Sequence, residues 1–145
     1  MTIRHEVDVT KPFVAIRSER DGRGCGACEA EYLVNPLGEP LRNVATSTGG
    51  AGICGAGICG VGGGAGPRQS ALIVAPRGFV RIGRSTRSAY DAFLVYWSIS
   101  YETESGGAVG VGFGSYKGLA DARWMAEIPI LGGAGWILPR SVTGS

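Results

Sequence analysis

Residues 49–66, GGAGICGAGICGVGGGAG, constrain this chain more than any other stretch. They hold ten glycines, no charge, and a tandem AGICG repeat that puts Cys54 and Cys59 in equivalent positions. A glycine in a helix interior costs about 1 kcal/mol relative to alanine, so ten of them cost on the order of 10 kcal/mol. That cost disfavours a transmembrane helix, which needs about 20 consecutive apolar residues. A flexible linker is Gly/Ser-rich and solvated, whereas Ile53, Ile58, Val61 and two cysteines sit here. The stretch therefore reads as an ordered apolar loop or hairpin packed against other backbone, with Cys54 and Cys59 facing each other across a short turn.

On either side the chain alternates in the manner of β-structure. Ile3–Val9 sets Ile3, Val7 and Val9 against Arg4, Glu6 and Asp8, and after Pro12 a second short strand is expected over Phe13–Arg17. Together they suggest an N-terminal arm or hairpin within residues 1–24. Glu29–Val34 sets Ala30, Tyr32 and Val34 against Glu29, Glu31 and Leu33, and the NPLGEP segment Asn35–Pro40 is turn chemistry. A weaker strand, Leu41–Thr46, leads into the glycine stretch. Ala71–Ala75 and Phe79–Gly83 flank a turn at Pro76–Gly78.

The strongest strand expectation is Ala92–Thr103, with Phe93, Val95, Trp97, Ile99 and Tyr101 on one face, and it is expected to be central. Gly106–Gly114 alternates glycine with apolar residues, which suits a strand closely approached by other backbone. Leu119–Met125 can hold one helical turn, Trp124–Ile130 reads as strand, and a polar tail follows Trp136–Leu138. This gives an all-β, single-domain chain over residues 1–145: a β-sandwich or jelly roll of about eight to ten short antiparallel strands, with residues 49–66 as a long glycine-rich apolar loop. No repeat of solenoid or propeller length is present.

Four cysteines form two pairs, Cys25/Cys28 as C-x2-C and Cys54/Cys59 as C-x4-C. Glycines beside them let the backbone bend around an ion, so a zinc or iron–sulfur site is one reading. Disulfides or buried thiols are the others. His5 is the single histidine and lies in an expected edge strand, a poor basis for a Ser-His-Asp or Cys-His arrangement. Glu29/Glu31 and Glu102/Glu104 are carboxylates at i, i+2, read first as solvated strand faces. The glycine-rich GVGFGSYKG over 110–118 lacks the P-loop spacing.

Arg77, Arg81, Arg84 and Arg87 form the main basic cluster and offer a possible anion contact. A formal net charge of +2 is too small to argue for nucleic acid, although twelve of the fourteen basic residues are arginine. Residues 1–10 lack a basic segment followed by an apolar one, so synthesis in the cytoplasm without a secretory signal is expected, with incorporation in a virion or other particle as the destination.

Without a catalytic set or an expected cofactor, the chain reads as a non-enzymatic structural or assembly subunit. A homo-oligomer, or a partner of other particle subunits, is expected, as in a viral coat, decoration or tail component. Its subunit contacts would run through Ile53, Ile58, Val61, Val109, Val111 and Phe113. Two alternatives stand beside it: a small metalloprotein using the four cysteines, and a membrane-active module that inserts the glycine-rich loop.

Overall fold

The computed structural model describes residues 2–20, 27–54, 57–59, 68–86, 93–115 and 122–144, with side chains described within 6–17, 30–47, 72–83, 97–114 and 122–141. Among the described residues the chain is all-β, with no helix. Twelve strands are seen: β1 Thr2–Glu6, β2 Phe13–Arg20, β3 Ala27–Val34, β4 Leu41–Cys54, β5 Gly57–Cys59, β6 Arg68–Val74, β7 Phe79–Thr86, β8 Phe93–Thr103, β9 Gly107–Ser115, β10 Arg123–Met125, β11 Gly135–Ile137 and β12 Arg140–Gly144. No described helix is long and apolar enough to cross a membrane.

The strands form two antiparallel sheets. A seven-stranded sheet runs β1-β12-β9-β8-β4-β5, with β6 also paired to β4, and a five-stranded sheet runs β10-β11-β2-β3-β7. As its alternation predicts, β8 is central, flanked by β9 and β4, with Trp97, Ile99 and Tyr101 buried and Ser98 and Ser100 exposed. On β4 the register slips by one residue near Asn43, whose φ of 49° lies in the left-handed region. That bulge brings Leu41 and Val44, three residues apart, both into the core; an unbroken strand would have turned one of them outward.

One hydrophobic cluster draws on both sheets, and a single polar contact crosses it. The Trp97 indole on β8 donates from Nε1 to Glu31 Oε2 on β3 at 2.7 Å, and Glu31 is only 2% exposed. Gly83 on β7 makes room for the ring: a Cβ there would stand 2.8 Å from Trp97 Cζ2 and 3.0 Å from Glu31 Oε1. The expectation that Glu31 lies on a solvated face is therefore corrected. β2 and β3 are covered on both faces, so alternation along them separates two buried sides rather than core from water.

One side of β2 and β3 carries Val14, Ile16, Glu31 and Leu33 and meets the other sheet through Trp97. On the other side the turn between β10 and β11 closes over Arg17. Its backbone is pinned by Ile128 N–H to Gly133 O at 2.8 Å and Gly132 N–H to Ile128 O at 2.8 Å. Arg17 Nη1 donates to the carbonyls of Leu131 and Gly132, while Nη2 donates to the Tyr32 hydroxyl at 3.3 Å. Gly135 is required here, since a Cβ would stand 2.1 Å from the Ile16 carbonyl oxygen.

Other expectations change with the topology. The first strand stops at Glu6, and β1 pairs with β12 whereas β2 pairs with β3 and β11, so these two strands do not form a hairpin with each other. Gly49–Cys54 continues β4 rather than starting a loop, and β5 returns along it; residues 55–56 and 60–66 lie outside the described residues. Trp124–Ile130 is strand only through Met125, the helical turn expected over 119–125 is not formed at 123–125, and the polar tail is strand β12.

Replacing Trp97 by phenylalanine removes a charge-assisted donor from a buried carboxylate and opens a cavity, and is expected to cost about 3 kcal/mol. Urea denaturation measures this, with Gly83→Ala expected to destabilise through the clash with the same ring.

Candidate functional site

At one end of the sheets the β3–β4, β6–β7 and β8–β9 connections meet. Asn35, fully buried, donates from Nδ2 to the carbonyls of Glu39 at 2.9 Å, Ala75 at 3.1 Å and Val74 at 3.3 Å, and its Oδ1 accepts from Leu37 N–H. The side chain thus joins two connections that leave different strands. Glu39 accepts from the Ser105 backbone N–H and hydroxyl, Arg42 pairs with Glu104 at 3.3 Å, and Asn43 donates to Glu102. Glu102 and Glu104 are thereby engaged in exposed contacts within this end. A shallow, open trough of about 360 Å³ lies beside them, lined by Asn43, Ser100, Tyr101, Glu102, Ala108, Val109 and Gly110.

The core ends near a second polar group. Arg140 on β12 sits over the Phe113 ring at 6.0 Å, with Nε and Nη1 buried and without hydrogen-bond partners. Burial raises the Tyr101 hydroxyl above its ordinary pKa of 10.0, opposed by the charge and hydrogen bond of Arg140. Phe113, expected at a subunit contact, is instead fully buried, and Val109 and Val111 are half-buried and pack on the core. Their alternation with glycine serves the interior of this chain.

The cysteine register departs from the expected geometry. β4 and β5 pair Gly52 with Cys59 and Cys54 with Gly57, so the two cysteines are not opposite each other. Both occupy the register face of β4 that carries Thr46, whereas Cys28 occupies the face of β3 that carries Ala30 and Tyr32. The register thus does not bring Cys28 onto one face with the other pair. Cys25 and Val61 lie outside the described residues, and Ile53 and Ile58 are a cross-strand pair. His5 is opposite Ser141 on β1, an edge of the seven-stranded sheet.

Of the basic cluster, Arg77 and Arg81 are exposed, Arg84 lies on β7, and Arg87 is outside the described residues. Arg77 adopts φ 55° in the turn, where its N–H donates to the Leu37 carbonyl.

The most distinctive surface is formed by the strands left unpaired on one side. β6 pairs with β4, β7 with β3 and β10 with β11, each on one side among the described residues. Ile73 on β6 is 70% exposed, Phe79 on β7 is 48% exposed and Trp124 on β10 is 54% exposed. Phe79 meets Tyr32 edge-on at 5.8 Å and Trp124 meets Trp136 at 4.7 Å. Comparison with protein-family models, curated proteins and solved structures finds no match for this chain.

Sequence reasoning missed these residues as a set. Edge position is a property of the assembled sheet, and the one local sign was the brevity of Arg123–Met125 between charged residues.

The carboxyls of Asp8 and Glu39 sit below their ordinary values of 3.8 and 4.5, chiefly through hydrogen bonds from Thr10 and Ser105 respectively. The native state then binds fewer protons than the unfolded chain in that range, and their stabilisation is lost as pH falls through it. The raised Tyr101 acts in the opposite direction, its contribution being lost as pH rises above 10.0. The melting temperature is expected to decline at both ends, and Glu39→Gln to flatten part of the acid limb in thermal scans from pH 6 to 3.

Proposed function

We propose that this chain is a non-enzymatic structural subunit that self-associates, a component of a larger particle such as a viral coat, decoration or tail. Its two sheets are read as a β-sandwich whose edges carry the contacts. The observation that supports this is the placement of the large exposed apolar side chains. Among the described residues Ile73, Phe79 and Trp124 all lie on strands with one side unpaired.

An unpaired strand presents a row of free N–H and C=O groups that another chain can complete. Monomeric proteins blunt such edges with charge, proline or bulges, whereas a large apolar side chain placed there favours pairing. Arg77 and Arg81 beside Phe79 supply side chains suited to anchoring a contact once desolvated. The reading moves the association surface from Val109, Val111 and Phe113, which the core uses, to β6, β7 and β10.

Light scattering on the purified protein is expected to give a mass above the 15.0 kDa of one chain. The triple variant Ile73→Ser, Phe79→Ser, Trp124→Ser should shift it toward the single chain without loss of β-structure by circular dichroism. A wild-type protein of single-chain mass at several hundred micromolar would overturn the reading.

A further inference from the structure

We infer that β10 is the contact of a two-fold dimer in which Arg123–Met125 pairs antiparallel with the same strand of a second copy. The inference rests on the self-association proposed above and names which edge carries it. Trp124 projects from a strand paired on one side, is 54% exposed, and already stacks edge-on with Trp136 at 4.7 Å across β10 and β11. A two-fold axis through Trp124 sets this indole opposite the partner subunit's Trp124. The two Trp124–Trp136 pairs then join into one aromatic row across the contact, the kind of cross-strand arrangement that stabilises antiparallel sheets.

The charges select a second copy of this chain as the occupant. Exposed Arg123 and exposed Glu127 lie on opposite sides of Trp124 in the same segment. Antiparallel pairing about Trp124 puts Arg123 opposite the partner subunit's Met125 and diagonal to the partner subunit's Glu127. Long side chains reach across a diagonal of that kind. The two-fold repeats the pair, so each copy supplies one arginine and one glutamate, and the segment is complementary to itself.

The other two edges lack this property. On β7 the exposed charges at and before Phe79 are Arg77 and Arg81, so a two-fold pairing there sets like charges together. On β6 the exposed Ile73 is flanked by Leu72 and Val74, with no charge to set a register.

The strand is short, and a tryptophan pair buries far less than the roughly 1,200 Å² of a stable standard interface. The contact is therefore a weak one, with a dissociation constant expected in the micromolar range and a role in seeding or joining larger assemblies.

Sedimentation equilibrium of the full chain between about 5 and 500 micromolar tests this. Trp124→Ser and each single reversal, Arg123→Glu or Glu127→Arg, should weaken dimerisation about tenfold. The double reversal Arg123→Glu with Glu127→Arg should return it to within about threefold of wild type, which a purely structural effect of either change would not do. Phe79→Ser should leave the dimer constant unchanged. If the wild type associates but the β10 variants do not alter it, or the double reversal is weaker than both singles, the β10 contact is overturned while self-association stands. A wild type that stays monomeric over the whole range overturns both.

Discussion

The two sheets depend on the contact between Trp97 and Glu31. A carboxylate taken from water loses several kcal/mol of solvation unless hydrogen bonds replace it, and at 2.7 Å the indole N–H supplies one of them. Because the donor belongs to the seven-stranded sheet and the acceptor to the five-stranded sheet, the bond is made only when the sheets are in the right relative position. Generic hydrophobic packing tolerates sliding, and a buried polar bond is far less permissive. Gly83 enters for the same reason: the ring must lie flat against β7, and any side chain at that position would hold the sheets apart.

The same geometry explains which parts of the fold were legible in the sequence. Where one face of a strand meets water, period-two alternation separates core from surface, and Trp97, Ile99 and Tyr101 against Ser98 and Ser100 were placed correctly on that ground alone. β2 and β3 break the premise because the turn held by Arg17 covers their second face. Glutamate at position 31 then looks like surface, although its partner lies 66 residues away in the chain. Nothing local announces such a pairing. The tail was missed for a related reason, since Arg140–Gly144 is held in strand by β1 at the far end of the sequence rather than by its own residues.

The glycine-rich stretch shows how far composition carries. The cost of glycine correctly removed the helix and the wet linker, and the remainder was read as one apolar loop. The backbone instead runs on from the ordinary strand Leu41–Ser47 into Gly49–Cys54, paired to β8 on one side and to β5 on the other. Cross-strand hydrogen bonding does not require side chains, so a strand seeded at Leu41 and Val44 can extend through glycine while a neighbour as β-prone as Phe93–Trp97 templates it. What glycine gives up in local preference is offset by the ladder on both sides.

That arrangement also bears on where the chain is free to associate. A strand paired on both sides has its backbone groups already satisfied, so Gly52–Cys54 is poorly suited to accept another chain, despite being the most unusual part of the sequence. The strands with an unsatisfied side are compositionally plain ones, β6, β7 and β10, and only the sheet order reveals them. Among them the decisive variable is charge symmetry. A two-fold contact brings each residue near its own mirror position, so a segment bearing one sign repels its copy, and one bearing both signs about a central aromatic attracts it. Arg123, Trp124 and Glu127 satisfy that condition, whereas Arg77, Phe79 and Arg81 favour a partner of opposite charge. A chain with both kinds of edge can close a pair through one and reach a different surface through the other, which is what growth beyond a dimer requires.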